Sequence, residues 1–529
     1  MRDFQQPGRS PVYALNGMAA TSHPAATLCA IDMLRSGGNA IDAAVAAGAV
    51  LSVVEPQSTG IGGDCFVLYA PGGGGEVIGY NGSGRAPAAT NVEWFLDRGL
   101  DAVPADGPHA VTVPGAVDAW ARLVADHGRK GLDDVLQPAI AYAENGYVVH
   151  PCVAEAWAGA AEKLGRDETA ARIFLPDGRA PRAGELHRQP ELGETLRTIA
   201  REGRDGFYGG RVAEDIVAHL GSLGGPHTLD DFAAAKGEYV TPISTNYRGY
   251  DIYECPPNGQ GIVALIMLNV LAGYELSGMD PLGVERLHLE IEAGRLAMCD
   301  RDALVADPAH AEVPVEELLS AAHAAELKAR IRPDRTMTDL PPPAFPAHSD
   351  TIYLCVVDRD RNAVSFINSL FHPFGGGLVS PNTGVVLQNR GAGFLVRPGH
   401  PNCIAPGKQP LHTIMPGMAL SGGRVAMPFG VMGAQYQPFG HVHFLTNVID
   451  YGMDFQAALD LARVFRYGVI CEIESGVGDD VASGLAALGH RVERAAGALG
   501  GGQAIGIDWQ RGVLVGGSDP RKDGCALGY

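Results

Sequence analysis

The 529-residue chain lacks several features that would assign it to particular classes of protein. It has no run rich in lysine or arginine, and its net charge is −20, which argues against a nucleic-acid partner. Its longest apolar run, residues 43–54, is shorter than the roughly 20 residues that a membrane span needs. The first residues lack the apolar core of a signal peptide. These absences predict a soluble protein that binds neither nucleic acid nor membrane.

Paired cysteines and metal motifs are also missing. Nine cysteines are scattered singly with no CxxC, which predicts reduced thiols and a cytoplasmic location. No HExxH is present, and His441 and His443 are two positions apart, a spacing that does not share a helix face. Glycines 60–63 match neither the full dinucleotide pattern nor a Gly-Lys-Ser/Thr loop, so they indicate a close approach of backbones. We expect no metal and no organic cofactor.

Helical and strand-like patterns are mixed along the chain. Ser22 is the predicted N-cap of a first helix that begins at Pro24 and stops at Gly37, and a second helix follows from Asn39. Its residues 43–54 are apolar on all sides, which predicts burial between layers. Further helices are predicted over Ala116–Asp126, Glu191–Glu202, Val212–Leu220, Val284–Cys299, Val315–Ile331, Gly440–Asp450 and Phe455–Val464, and strands over Cys65–Ala70 and Tyr239–Tyr253. The pattern indicates one interwoven α/β body.

The chain is organised around residues 341–369. A proline-rich run, 341–346, cannot be regular helix or central strand. Residues 352–357 and 363–368 then read as two strands joined by a turn, so Thr351 lies where a linker enters a hairpin. That position suits a threonine exposed as a new N-terminus by cleavage after Asp350, its own α-amine serving as the base. Taken alone, the stretch favours an ordinary strand-opening threonine over a nucleophile.

Several stretches resemble the γ-glutamyltranspeptidase family, in the right order and over nearly the whole chain. They are Gly17-Met-Ala-Ala-Thr-Ser-His-Pro24, Gly37-Gly-Asn-Ala-Ile-Asp-Ala-Ala44, Val54-Glu-Pro-Gln-Ser-Thr-Gly-Ile-Gly-Gly63, Pro242-Ile-Ser244 with Tyr247-Arg-Gly-Tyr250, Phe374-Gly-Gly-Gly377 and Gly517-Ser-Asp-Pro-Arg521. The resemblance implies a four-layer αββα sandwich of the N-terminal-nucleophile hydrolase kind, made as a proenzyme. It also implies self-cleavage between Asp350 and Thr351 into a large subunit, 1–350, and a small subunit, 351–529, which together form one interwoven domain.

The resemblance implies four catalytic positions. The cleavage threonine falls on Thr351, although the family usually has Thr-Thr-His where this chain has Thr-Ile-Tyr. The hydroxyl that supports the nucleophile falls on Ser369. The alternative interpretation is that Ser369 is only a polar residue at the end of a strand. The oxyanion hole falls on the backbone N–H groups of Gly433 and Ala434, which need no particular side chain.

The positions that would hold a glutamyl substrate differ from the family pattern. Ser83 stands in place of the arginine that clamps the α-carboxylate, and the arginine is displaced to Arg85. Gly393 stands in place of the aspartate that holds the α-amine, and Arg390 is a new cation beside Asn389. His412-Thr413 replaces a pair of serines. We therefore predict that the substrate has a carboxylate without an α-amine, bound by residues from the set Arg85, Asn389, Arg390, His412 and Thr413. The alternative for Arg85 is a surface or structural ion pair.

The predicted activity is hydrolysis of a small carboxylate-bearing amide, such as a glutaryl amide or oxamate, through an acyl-enzyme on Thr351. This resembles the family branch of cephalosporin-acylase-like proteins and oxamate amidohydrolase. True γ-glutamyl transfer or glutathione hydrolysis is the alternative, and a non-catalytic binding protein on the same fold is a second. The expected partners are the substrate and the two processed subunits, and assembly into a larger homo-oligomer stays open.

Overall fold

Two sheets lie face to face and carry helices on their outer surfaces. The computed structural model describes residues 8–345 and 351–529. The strands are β1 (Val12–Ala14), β2 (Met18–Thr21), β3 (Asp64–Ala70), β4 (Ile78–Gly82), β5 (Tyr147–Val148), β6 (Leu186–His187), β7 (Glu238–Val240), β8 (Ile243–Tyr247), β9 (Tyr250–Glu254), β10 (Ile352–Val357), β11 (Ala363–Ser369), β12 (Gly417–Ser421), β13 (Arg424–Met432), β14 (Val464–Tyr467), β15 (Ile470–Ile473), β16 (Arg491–Arg494), β17 (Gly501–Asp508), β18 (Val513–Ser518) and β19 (Cys525–Gly528).

The helices precede, separate and follow these strands. They are α1 (Pro24–Arg35), α2 (Ala40–Val54), α3 (Val92–Leu96), α4 (Ala116–His127), α5 (Leu132–Asn145), α6 (Pro151–Gly159), α7 (Ala161–Leu164), α8 (Glu168–Phe174), α9 (Pro190–Glu202), α10 (Asp205–Tyr208), α11 (Gly210–Ser222), α12 (Leu229–Ala234), α13 (Gly261–Leu271), α14 (Val284–Leu304), α15 (Val315–Leu318), α16 (Ala321–Arg330), α17 (Gln437–Ile449), α18 (Phe455–Asp460) and α19 (Asp479–Ala487).

Both large sheets contain strands from before and from after residue 350. One sheet has the order β1-β18-β17-β13-β12-β9-β8 and the other β19-β2-β10-β11-β3-β4-β7. Strand β2 therefore pairs on one side with β10 and on the other with β19, and β3 pairs with β11. Residues before and after position 350 thus form each sheet together, as the prediction of an interwoven body requires.

Strand β10 shows how the layers are built. Its even-numbered residues, from Ile352 to Val356, pack in one apolar core with α2, whereas its odd-numbered residues, from Tyr353 to Val357, pack in another core between the sheets. This is the period-2 alternation of a strand that is buried on both faces. A third core lies between the sheet that contains β12 and β13 and helices α13, α14 and α17. The order helix, sheet, sheet, helix confirms the predicted four-layer sandwich.

The helix predictions hold in outline and fail at some ends. Helix α2 begins after Asn39, whose side chain accepts from two backbone N–H groups, and every residue of α2 is buried. The cap of α1 is His23 and not Ser22, because the His23 ring accepts the Ala25 N–H. The helix expected over 315–331 is broken at Ser320, which caps α16. The helix expected over 455–464 ends at Asp460, because Val464 begins β14.

All nine cysteines are unpaired thiols, as predicted. In the ranges that the structure describes, no helix combines the length and apolar composition needed to cross a membrane.

Five buried histidines are held uncharged. Burial is the largest cause that lowers the pKa of each to about 3 or 4. They are His23, His187, His227, His412 and His490. In the unfolded chain each would bind a proton below pH 6.5, whereas in the folded chain it stays neutral down to about pH 4. Their contribution to stability is therefore complete above pH 6.5 and is lost as the pH falls towards 4.

We expect the urea midpoint of unfolding to be lower at pH 5.5 than at pH 7.5. Below pH 6.5, each such histidine should lower the free energy of unfolding by about 1.4 kcal/mol per pH unit. His187 provides a matched control, because its ring packs against Tyr147, Trp157 and Phe174. His187→Phe keeps an aromatic ring there and removes the titrating group. The free energy of unfolding of this variant should therefore depend less steeply on pH, by the contribution of about one histidine. An unchanged slope in this variant would contradict the assignment.

Candidate active site

The β10–β11 hairpin brings the predicted nucleophile to its supporting hydroxyl. The last paired residues of the hairpin are Ile352 and Asn368, so the residues one step further on, Thr351 and Ser369, face each other. Thr351 Oγ1 lies 3.2 Å from Ser369 Oγ, and both side chains are buried. Asp350, the other residue of the predicted cleavage bond, lies outside the described residues.

The Ser369 hydroxyl is oriented by two donors. Its Oγ accepts the Phe371 N–H at 2.9 Å and Arg390 Nη2 at 3.2 Å. Because these donors occupy the two acceptor positions of a hydroxyl, the Ser369 proton is directed elsewhere, and Thr351 Oγ1 is within reach. This arrangement favours donation from Ser369 to the threonine oxygen.

Arg390 is a buried cation beside this pair. Its side chain is fully buried, its Nη1 donates to Thr413 Oγ1 at 2.8 Å, and its Cζ lies 4.2 Å from the centre of the Phe371 ring. Its Nε is buried without a hydrogen-bond partner among the described residues. Burial lowers the pKa of Arg390 to about 9, against the attraction of Asp64. Among the described residues, every hydrogen bond of this guanidinium goes to a hydroxyl and none to a carboxylate.

Both oxygens of the nearby Asp64 carboxylate already accept hydrogen bonds. Its Oδ1 accepts from the Gly84 and Gly115 N–H groups and from Gln388 Nε2. Its Oδ2 lies 3.0 Å from His412 Nε2. The Ile414 N–H points at His412 Nδ1, so the His412 proton resides on Nε2, which donates to Asp64. Burial, and then Arg390, lowers the pKa of His412 to about 4, so the ring is neutral at pH 7.

The predicted oxyanion loop lies at the start of a helical segment. Gly433 has φ 126° and Ala434 φ 48°, and residues Ala434–Tyr436 form a 3₁₀ turn that leads directly into α17. N–H groups at the start of a helical segment have no acceptor within it and point towards an anion. A Cβ added at Gly433 would stand 3.0 Å from Gly500 Cα. The backbone conformation therefore favours glycine at position 433.

Two buried polar residues that the sequence did not reveal hold this loop. Gln260 Nε2 donates to the Thr413 carbonyl at 2.8 Å and to the Ala434 carbonyl at 2.9 Å. Arg301 Nη1 donates to Gln260 Oε1 at 2.7 Å and also to Gln435 Oε1. Arg301 is fully buried and pairs with Asp302 at 2.6 Å. These contacts span up to 174 residues of sequence, so no local pattern announces them.

Arg85 and Asn389 do not join this cluster. Arg85 Nη1 pairs with Asp307 at 3.3 Å and donates to the Gly407 carbonyl, and the side chain is 36% exposed. The structure therefore favours the ion pair, which was the alternative for this residue. Asn389 is buried, but its Nδ2 lies against His372 Nδ1 and the Ala105 carbonyl.

The glycines at 60–63 bring backbones close together, as predicted. A Cβ at Gly62 would stand 2.1 Å from the Val386 carbonyl oxygen, and one at Gly63 would stand 2.3 Å from that of Ser369. His441 and His443 lie in separate buried pairs, with Glu254 at 2.7 Å and Glu290 at 3.0 Å.

One trio of potential metal ligands occurs among the described residues: His288, Glu292 and His490. Their ligand atoms already have hydrogen-bond partners. Arg466 donates to His490 Nδ1, His490 Nε2 lies 2.8 Å from His288 Nδ1, and His288 Nε2 reaches the Arg332 carbonyl. These partners already use the ring nitrogens that a cation would need, and Arg466 places a positive charge beside them.

The described residues bring together two adjacent hydroxyls, a buried cation and a loop with backbone N–H groups at a helix start, which are the kinds of group that acyl transfer uses.

Comparisons with known proteins identify the family. The γ-glutamyltranspeptidase profile matches residues 26–529. The glutathione hydrolase-like YwrD proenzyme of Bacillus subtilis is 39% identical over 97% of this chain and 98% of its own length. The oxamate amidohydrolase proenzyme of Klebsiella pneumoniae is 36% identical, with the same coverage. The crystal structure of cephalosporin acylase from Bacillus halodurans superposes with a TM-score of 0.93 at 41% identity, over 100% of this chain and 99% of that one.

These matches confirm the resemblance, its branch and its fold. The chain belongs to the γ-glutamyltranspeptidase family and is an enzyme of its amide-hydrolase and acyl-transfer class.

Proposed function

We propose that this protein is a self-cleaving amidohydrolase that removes a small carboxylate-bearing acyl group from an amine, with Thr351 as the nucleophile. The two processed pieces, 1–350 and 351–529, would stay together as the active heterodimer. The single observation that carries the substrate preference is the buried Arg390, whose hydrogen bonds go to the Ser369 and Thr413 hydroxyls. A cytoplasmic location remains our prediction from the unpaired cysteines.

Processing would use the same hydroxyl as turnover. Thr351 Oγ1 attacks the carbonyl carbon of Asp350, the Oγ1–C bond forms, and the peptide C–N bond breaks to leave an ester and a free α-amine on Thr351. Water then hydrolyses the ester to give the Asp350 carboxylate and to restore the Thr351 hydroxyl. The contact at 3.2 Å between Thr351 and Ser369 supports this role, because it orients the threonine oxygen.

Turnover would repeat this chemistry on an external amide. The Thr351 α-amine accepts the hydroxyl proton, Oγ1 adds to the substrate carbonyl, and the oxyanion binds the N–H groups of Gly433 and Ala434. On collapse the Thr351 α-ammonium gives its proton to the leaving nitrogen, the C–N bond breaks and the amine or ammonia departs, and water then releases the acid from the acyl-enzyme. Loss of one such backbone donor typically raises the barrier by about 3–4 kcal/mol, so the anchoring of this loop by Gln260 supports the rate.

Arg390 would bind the remote carboxylate of the acyl group. A guanidinium with hydrogen bonds to hydroxyls alone offers charge-assisted donors to an incoming carboxylate, which is its preferred partner. Thr413 lies 2.8 Å from Nη1 and adds a hydroxyl at the same place.

γ-Glutamyl transfer or hydrolysis is the second candidate, favoured by the YwrD relative's name as a glutathione hydrolase-like proenzyme. A glutamyl group carries an α-ammonium that needs an anionic partner. Asp64 is the carboxylate whose charge acts on Arg390, and its oxygens accept from four donors already. The site as described therefore favours an acyl group without an amine.

Three anilides that differ only in the acyl group would test the substrate preference. We expect kcat/KM for glutaryl-p-nitroanilide to exceed that for the γ-glutamyl anilide, which adds the α-amine, and that for the pentanoyl anilide, which lacks the carboxylate, each by about tenfold or more. Release of p-nitroaniline is followed by absorbance. A higher kcat/KM for the γ-glutamyl anilide would overturn the proposal in favour of the second candidate.

A further inference from the structure

A cavity of about 510 Å³ lies outside the candidate active site. Its walls come from helix α14, from residues 336–343 and from the β14–β15 turn, and none of Thr351, Ser369 or Arg390 lines it. Apolar side chains line much of it, among them Met298, Met337 and Leu340. Cavities of this size and composition bind small organic molecules.

One wall carries a positive charge without a carboxylate partner. Arg466 is 8% exposed, and its Nη1 donates to Thr336 Oγ1 at 2.6 Å and to His490 Nδ1 at 2.7 Å. Its Nε is buried with no hydrogen-bond partner within the described ranges, and no acidic group there forms a salt bridge with it. A buried cation that binds two neutral groups is incompletely satisfied.

The neighbouring charges balance among themselves. Glu292 accepts from Arg295 at 2.7 Å, and Asp302 pairs with Arg301 at 2.6 Å. Burial lowers the pKa of His490 to about 3 and raises those of Cys299 and Tyr467, so these three are uncharged at neutral pH. The excess charge at the cavity is therefore that of Arg466.

We propose that this cavity is a second binding site, which takes a small organic anion with an apolar body. The carboxylate or sulfonate would lie against Arg466 and Arg295, and the apolar body against the methionines and Leu340. Burial and the repulsion of Arg295 lower the pKa of Arg466, and the negative charge of an anion beside both arginines would oppose this lowering.

Two walls of the cavity are connected to elements of the candidate active site. Residues 336–343 form one wall and lead towards the predicted cleavage bond. Asp302, on another wall, pairs with Arg301, which in turn holds Gln260 and Gln435 of the oxyanion loop. The Asp302–Arg301 ion pair would thus connect the site of a bound anion to the oxyanion loop.

Calorimetric titration of the full-length Thr351→Ala chain with 2-naphthoate would test the proposal, with the neutral 2-naphthamide as the matched ligand. We expect saturable 1:1 binding of the acid, about tenfold or more tighter than that of the amide. Arg466→Gln should lose about tenfold or more in affinity, Arg466→Lys should retain most of it, and Arg390→Gln should leave it unchanged. Loss in Arg390→Gln with retention in Arg466→Gln would overturn the site, as would equal binding of acid and amide or no saturable binding at millimolar concentrations.

Cys299 provides a readout that needs no change at Arg466. It lines the cavity and is partly exposed, whereas the partly exposed Cys403 lies elsewhere. Saturating 2-naphthoate should slow alkylation of Cys299 by iodoacetamide several-fold and leave that of Cys403 unchanged, as measured by peptide mass spectrometry. Equal rates at Cys299 with and without the acid would contradict the proposed location.

Discussion

Replacement of Thr351 by alanine is expected to leave the protein as one uncut chain without amidase activity. The wild-type protein should show two masses, for residues 1–350 and 351–529, and the variant one. The reason is that the same oxygen makes the ester in processing and in turnover, so its removal abolishes both. Rate losses on removal of an activated nucleophile are on the order of 10⁴-fold or more. Intact-mass spectrometry of freshly purified and incubated samples measures the first effect, and anilide hydrolysis the second.

Two further variants separate the chemistry from the fold. Thr351→Ser keeps a hydroxyl and should still cleave itself. Ser369→Ala keeps the nucleophile but removes the hydroxyl that orients it, so this variant should cleave itself more slowly than the wild-type chain. A wild-type chain that stays whole after prolonged incubation would contradict the proposed mechanism. So would cleavage of Thr351→Ala at the same bond.

Arg390→Gln is expected to lower kcat/KM for a glutaryl anilide by about 100-fold, while the pentanoyl anilide loses much less. Glutamine keeps a donor for the Thr413 hydroxyl and removes the charge that would pair with the substrate carboxylate. Loss of a charge-assisted contact in a buried site costs about 2–4 kcal/mol, which corresponds to this factor. Initial rates with both anilides measure the effect, and their ratio cancels any general damage to the site.

Arg85→Gln is the matched control. It removes an arginine that pairs with Asp307 on a partly exposed surface, so both anilides should be hydrolysed at nearly the wild-type rate. A loss for Arg85→Gln alone would assign the substrate carboxylate to Arg85 instead, and an equal loss in the two variants would contradict its assignment to Arg390 alone.

Features that depend on near neighbours could be predicted from the sequence. Helix α2 follows from a capping residue, Asn39, and an unbroken apolar run, and both signals lie within a few residues of the element. The hairpin follows from alternation and a short turn, whereas Ser369 was predicted only through the family resemblance, and the structure then shows it opposite Thr351. The ordered motifs predicted the four-layer sandwich, because they are specific to one family.

Features that depend on distant contacts could not be predicted. Arg85 and Asp307 are 222 positions apart, so the sequence could not decide between a ligand and an ion pair. Gln260 and Arg301 lie on helical segments with no catalytic signature, and only folding brings them to the oxyanion loop. The N-cap of α1 shifted by one residue because a histidine ring nitrogen accepts as readily as the serine hydroxyl that was expected there.

The presence of strands from both segments in each large sheet has a consequence for the lifetime of a processed enzyme. A break between residues 350 and 351 leaves the pairs β1–β18, β9–β12, β2–β19, β2–β10 and β3–β11 joining the two pieces. Before the break, all of these pairs form within one molecule. Afterwards, an unfolded enzyme consists of two molecules that must meet again, so its recovery depends on concentration. The persistence of the mature protein is then determined by how slowly it unfolds and not by how well it refolds.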